Sequence, residues 1–223
     1  MLSYQDAKAV VVQAAQYLFN KGFLSATGGN ISVRAGENAL AVTPSNYDYL
    51  KMTPDDIIIL SLSDLACIEG SRKPSVESAM HAAIYQTRPD VHAIIHTHQV
   101  YPSTLAIINA PIPALFDEQV RFLGRSVDII PYAPSGTGML KNQVAKHVGN
   151  HHNAYMMANH GALVFGDDMD RAIDNVEVLE KCALAYLLSL CTERKASKIP
   201  LIVREVAFAK LRKDQKKHET GEA

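Results

Sequence analysis

The apolar run Val91-His92-Ala93-Ile94-Ile95 closes on His96-Thr97-His98, and this constrains the fold more than any other stretch of the chain. The run is short, branched and apolar, which suits a buried strand better than a helix. In an extended strand residues i and i+2 point to one side, so the two imidazoles of His96 and His98 face a common point. Imidazoles are costly to bury without partners and are common metal ligands. The pair has ligand spacing; the competing interpretation is two surface histidines at a strand end.

Two further segments complete a donor set. Asn159-His160-Gly161 lies between the apolar runs Ala154–Ala158 and Ala162–Phe165, so His160 is expected at a turn, with Gly161 permitting the sharp bend. The segment from Ser75 to about Arg88 reads as a helix capped by Ser75, with Glu77 in its first turn. A carboxylate there is also favoured by the helix dipole alone. Three histidines and one carboxylate nevertheless suffice for a divalent transition metal, zinc first among them.

At 223 residues the chain is expected to form a single domain spanning 1–223. Net charge is −1 and the one basic cluster, Lys210 to Lys217, reads as a solvated terminal helix, so no nucleic-acid partner is expected. The N-terminus has no basic flank followed by an apolar core, and no apolar run approaches the roughly 20 residues that span a bilayer. No membrane partner and a cytoplasmic location are expected. Three cysteines, Cys67, Cys182 and Cys191, lack metal-motif spacing and suit a reducing compartment.

The order of elements is mixed. An amphipathic helix over residues 4–21 presents Ala7, Val10, Val11, Ala14, Ala15, Leu18 and Phe19. Residues 27–34 run from a glycine turn into a strand whose hairpin partner is 39–43, and strands at 56–62 and 65–68 follow. Beyond the histidines come a helix from Ser103, a strand at 127–131 and a helix at 141–149. The strand pair around His160 leads to a long helix capped by Asp170 and running to about Glu193. A last helix over 200–217 carries Val203, Val206, Ala207 and Leu211 on one face. This order predicts an α/β (α+β) fold, either α+β or an α/β/α layered domain, with a largely antiparallel sheet.

The ordered set Thr-Gly-Gly-Asn-Ile-Ser-Val-Arg (27–34), Thr-Pro-Ser (43–45), Pro-Ser-X-Glu (74–77), His-Thr-His (96–98) and Ala-Asn-His-Gly (158–161) resembles the class II aldolase/adducin family, and within it the L-fuculose-phosphate aldolases. The resemblance spans nearly the whole chain. It implies a three-layer fold, a homotetramer with active sites at subunit interfaces, and a catalytic Zn(2+) held by Glu77, His96, His98 and His160. It also implies retro-aldol cleavage of a ketose 1-phosphate to dihydroxyacetone phosphate and an aldehyde through a metal-stabilised enediolate, with Glu77 doubling as general acid or base.

Under the same resemblance a phosphorylated sugar is the substrate, its phosphate held at Gly28, Gly29, Asn30, Ser45, Asn46 and Ser75. By spacing alone these are a hairpin turn and a helix cap. Asn46 stands where those aldolases usually carry glycine, and Val76 where many carry a second serine. The loop Ile112–Gln119 corresponds to one bearing a tyrosine or acidic proton donor, for which this chain offers Asp117 or Glu118; the alternative for both is a solvent-facing charge. The C-terminal tyrosine of some relatives has no counterpart, since residues 200–223 contain none. His81 is expected to be a structural partner near Glu77, His92 a structural histidine, and Tyr101 and Thr104 possible lining residues. Related chemistries on the same metal are sugar-phosphate 4-epimerisation, dehydration of a methylthio-sugar phosphate and decarboxylation of a keto or aromatic acid. Adducin-like assembly without catalysis is the alternative of a different class.

Overall fold

The computed structural model describes residues 2–25, 28–192 and 194–220. Thr27, Glu193 and the side chain of His218 lie outside the described residues. Among the described residues eight strands form one sheet: β1 (Asn30–Ala35), β2 (Ala39–Val42), β3 (Ile58–Ser61), β4 (Cys67–Glu69), β5 (Ala93–Thr97), β6 (Asp128–Ile130), β7 (Ala154–Met157) and β8 (Gly161–Gly166). Their order across the sheet is β4-β3-β2-β1-β5-β8-β7-β6. Every pairing is antiparallel except β6 with β7.

Strand alternation sorts the core into two slabs. Ile31, Val33, Ala93, Ile95, Ala162 and Val164 face a cluster built with α1 (Tyr4–Asn20), α3 (Val100–Ile107) and α6 (Met169–Leu190). Leu40, Val42, Ile94, Leu163 and Phe165 face the opposite cluster, with α2 (Ser78–Thr87) and α5 (Gly138–His147). Helices on both faces of a mostly antiparallel central sheet make the three-layer α/β/α arrangement, one of the two that the element order left open and the one the family resemblance implies. A third, smaller cluster joins α4 (Asp117–Phe122) to α7 (Leu201–Thr220) through Val120, Ala207, Phe208 and Leu211.

Local expectations fail where contacts with other segments or neighbouring caps decide. The second helix does not start at Ser75, because Ser75 N donates to Thr43 O and Ser45 N to Lys73 O, holding 73–75 extended against 43–45. The helix begins at Ser78, and Glu77 occupies its N-cap position. Asp168, not Asp170, caps α6, accepting from Arg171 N at 2.7 Å. On α7 the buried face is Ala207, Phe208 and Leu211, whereas Val203 and Val206 are exposed. Among the described residues no helix is long and apolar enough to cross a membrane.

Candidate metal centre and substrate cavity

The central strands β1, β5 and β8 bring the site together at one end of the sheet. His96 is the fourth residue of β5, on the same face as Ile94, and Asn30 of β1 lies directly across from it. His98 falls just past the strand, and His160 sits in the turn between β7 and β8. Nitrogen atoms of His96, His98 and His160 lie within 4.8 Å of one another. The Nε2 atoms of His96 and His98 are 3.1 Å apart.

Glycine lets these segments approach. Gly161 was expected to make the bend before β8, but the left-handed residue of that turn is Asn159, with φ 53°. Gly161 is needed for space: a Cβ there would lie 2.3 Å from Thr97 O, 2.8 Å from His98 Cδ2 and 3.0 Å from His96 Cε1. At Gly29, with φ +89°, a Cβ would meet His96 O at 2.6 Å.

Glu77 closes the set. Its Oε2 lies 3.3 Å from His96 Nε2 and its Oε1 3.3 Å from His160 Nε2. Asn30 Nδ2 donates to Oε2 at 2.8 Å, and Ser135 Oγ donates to Oε1 at 2.6 Å. Burial alone would raise the Glu77 pKa; the His160 hydrogen bond, the charge His96 takes on in acid and the Ser135 and Asn30 donors outweigh it and hold the carboxyl well below its usual range. Burial pulls His96 down to about 3 and lowers His98, so both imidazoles are neutral at pH 7. His96 Nδ1 is 2.9 Å from Ala162 O. A carbonyl only accepts, so the proton sits on Nδ1 and the Nε2 lone pair faces the cluster.

This donor set fits a divalent transition ion. Three imidazoles and a carboxylate converge; one histidine has its tautomer fixed by a backbone carbonyl, and the carboxylate is hydrogen-bonded on both oxygens.

A cavity of about 120 Å³ opens beside these donors. Its lining includes Gly28, Gly29, Asn30, Ser45, Asn46 and Ser75 together with Glu77, His96, His98 and His160. Asn46 adopts the left-handed region, φ 52°, which glycine and asparagine tolerate best; this accounts for asparagine at a position that suits glycine. The glycine turn is less open to an anion than its sequence suggests, because Gly28 N already donates to Ser25 O at 2.8 Å. Ser75 Oγ accepts from Glu77 N at 3.3 Å.

Asp117 and Glu118 do not join this cavity. They open α4 on the exterior, and Glu118 accepts from Lys181 Nζ at 2.5 Å. Tyr101 and Thr104 are also outside its lining; Thr104 Oγ1 donates to Val100 O within α3. His81 is held by Ser32 at 2.7 Å, and burial lowers it to about 4, as a neutral structural histidine. His92 Nδ1 is 3.1 Å from Asp167 O, again structural.

Two residues escaped the sequence reading. Ser135 lies in Pro134-Ser-Gly-Thr-Gly138, which reads only as a turn before a helix. Tyr49 is buried in a short 3-10 turn and donates to Gly29 O at 2.7 Å, clamping the glycine turn from beneath. Neither carries a sequence signal that separates it from ordinary loop serines and core tyrosines.

Comparison with known proteins places this geometry in context. A family model described as the class II aldolase and adducin N-terminal domain matches residues 9–187. The 5-deoxy-D-ribulose 1-phosphate aldolase of Bacillus thuringiensis is 34% identical over 82% of this chain and 84% of its own length. The 3-oxo-tetronate 4-phosphate decarboxylase of Haemophilus influenzae is 29% identical over 80% of this chain and 86% of its own. A solved L-fuculose 1-phosphate aldolase superposes with a TM-score of 0.87 at 32% identity, covering 93% of this chain and 96% of that one.

Proposed function

The chain belongs to the class II aldolase and adducin family, and from that membership we propose that it cleaves the carbon–carbon bond of a small ketose 1-phosphate, releasing dihydroxyacetone phosphate and an aldehyde. The observation that carries this reading is the convergence of three imidazoles and Glu77 on the wall of a cavity that also presents Ser45 and Ser75. His96, His98, His160 and Glu77 would hold a divalent ion, zinc in the first instance. When bound, such an ion acts as a Lewis acid toward carbonyl and hydroxyl oxygens beside it.

The remaining chemistry belongs to the chain. Cleavage requires a base to take the proton of the hydroxyl next to the breaking bond, and an acid to return one to the carbon left behind. Glu77 is placed for the first role, its carboxylate lying at the cavity wall beside the histidines. The hydroxyls of Ser45 and Ser75, with Asn46, supply donors for the phosphate. Val76 at the cavity mouth is apolar, so this chain offers one hydroxyl donor fewer than a serine there would. Asp117 and Glu118 lie outside the cavity of one subunit, and as proton donors they could serve only a neighbouring one. A homotetramer is part of the proposal; the exposed Leu201, Ile202 and Val206 of α7 support self-association, to be measured by light scattering.

The test is a panel of ketose 1-phosphates, 5-deoxyribulose and fuculose 1-phosphates first, incubated with zinc-loaded protein, with products identified by mass. Dihydroxyacetone phosphate supports the reading; its absence across the panel refutes it. Decarboxylation of a phosphorylated 3-oxo acid is the second reading, favoured by the Haemophilus influenzae relative, and release of carbon dioxide from such an acid would select it. A purely structural, adducin-like role would leave the four ligands without a purpose.

A further inference from the structure

Glu77 is held by two unlike supports. Asn30, on the Oε2 side, belongs to the central strand β1 and is 6% exposed. Ser135, on the Oε1 side, comes from an exposed loop between β6 and α5, yet it reaches a carboxylate whose side chain is only 3% exposed. The loop is shaped for that reach. Thr137 Oγ1 donates to Pro134 O at 2.6 Å and Thr137 caps α5, fixing the turn on either side of Ser135. Gly136, with φ +69°, lies so close to Val76 that a Cβ would stand 3.3 Å from Val76 Cβ, which seats the loop beside Glu77.

A carboxylate gripped through one oxygen still turns about its last side-chain bond, a soft twofold torsion. Asn30 alone would leave Oε1 free to swing away from His160. The second grip removes that freedom. We infer that Ser135 is a positioning residue: its hydroxyl orients the Glu77 carboxylate toward the three imidazoles and thereby sets the affinity of the metal centre. This rests on the reading of Glu77, His96, His98 and His160 as metal ligands. It does not depend on which substrate is cleaved.

The experiment is chelator competition for zinc on metal-stripped protein, comparing the wild type with Ser135→Ala and Ser135→Thr. Partners of metal-ligating groups typically carry ten- to a hundredfold in affinity, so Ser135→Ala should bind zinc about tenfold more weakly and Ser135→Thr, which keeps the hydroxyl, within about twofold of wild type. Equal affinity in Ser135→Ala would overturn the inference, and so would a threonine variant as weak as the alanine one, since loop packing would then be the cause. If the predicted affinities appear but no ketose phosphate is cleaved, the aldolase reading falls and this one stands. A wild-type chain that takes up no zinc overturns both.

Discussion

Adding one methyl group at Gly161 should dismantle the metal centre while leaving most of the fold. In Gly161→Ala the new Cβ would sit 2.3 Å from Thr97 O, 2.8 Å from His98 Cδ2 and 3.0 Å from His96 Cε1. Relief to an ordinary contact of about 3.4 Å needs roughly 1 Å of movement, and the first obstacle is backbone, which cannot rotate aside. The start of β8 must therefore part from the end of β5, where Thr97 pairs with Ala162. Overpacking of this size costs about 1–3 kcal/mol of stability. The effect on zinc is larger, because metal sites tolerate only about 0.2 Å in ligand distance and the displaced groups carry three of the four proposed ligands. Zinc affinity should fall at least about a hundredfold, close to 2.7 kcal/mol. Chelator competition and urea unfolding measure the two effects. The control is Gly138→Ala, where nothing lies within 4 Å of the added carbon; there stability should hold or rise by up to about 1 kcal/mol. Zinc binding in Gly161→Ala within about threefold of wild type would show that the β5–β8 approach is not what places the histidines.

Three other outcomes follow from the same structure. His96→Ala should abolish stoichiometric zinc and turnover together, while Glu77→Gln should reduce turnover more than metal content, as elemental analysis beside the product assay will read. Burial raises half-buried Glu180 from 4.5 to about 7 against the hydrogen bond from Gln99; the folded state thus prefers the neutral acid, and stability is lost as pH rises from 4.5 through 7. Glu180→Gln should therefore match wild type near pH 4.5 and exceed it at pH 8 by about 1–2 kcal/mol, after discounting the full linkage value for solvent screening, in urea titrations at both pH values. At Asn46, whose φ is 52°, glycine should change stability by less than about 1 kcal/mol, whereas β-branched valine should cost about 1–2 kcal/mol by urea unfolding.

The histidines were legible because imidazoles at the end of an apolar strand have no packing role, and strand alternation alone put Ile94 and His96 on one face. The layers followed from periodicity, since the inner strands bury both faces and the long helices a stripe. What escaped the sequence is decided by contacts between distant segments. The hydroxyl of Ser135 matters only because a turn 58 residues further along the chain lands on Glu77. Gly161 reads as a bend, yet its smallness serves Thr97 O across the ladder. Ser75 loses its cap role because residues 43–45 claim its backbone first, and Val203 and Val206 are exposed because the α4–α7 cluster is built from Ala207, Phe208 and Leu211. Asp117 and Glu118 carried chemistry only by resemblance; their positions depend on where α4 docks, which no local pattern encodes.

The four proposed ligands come from the start of α2, the end of β5 and the β7–β8 turn; α2 and β5 follow one another, but His160 lies 62 residues beyond His98. Such a site has no precursor in the unfolded polypeptide. It is complete only when β5 and β8 are paired, since their ends carry the three histidines. An ion that binds only this assembled state acts as a reversible cross-link between remote parts of the chain, and at a thousand times its dissociation constant it adds about 4 kcal/mol to stability. In such a molecule metal supply would govern how long the chain survives as well as how fast it turns over.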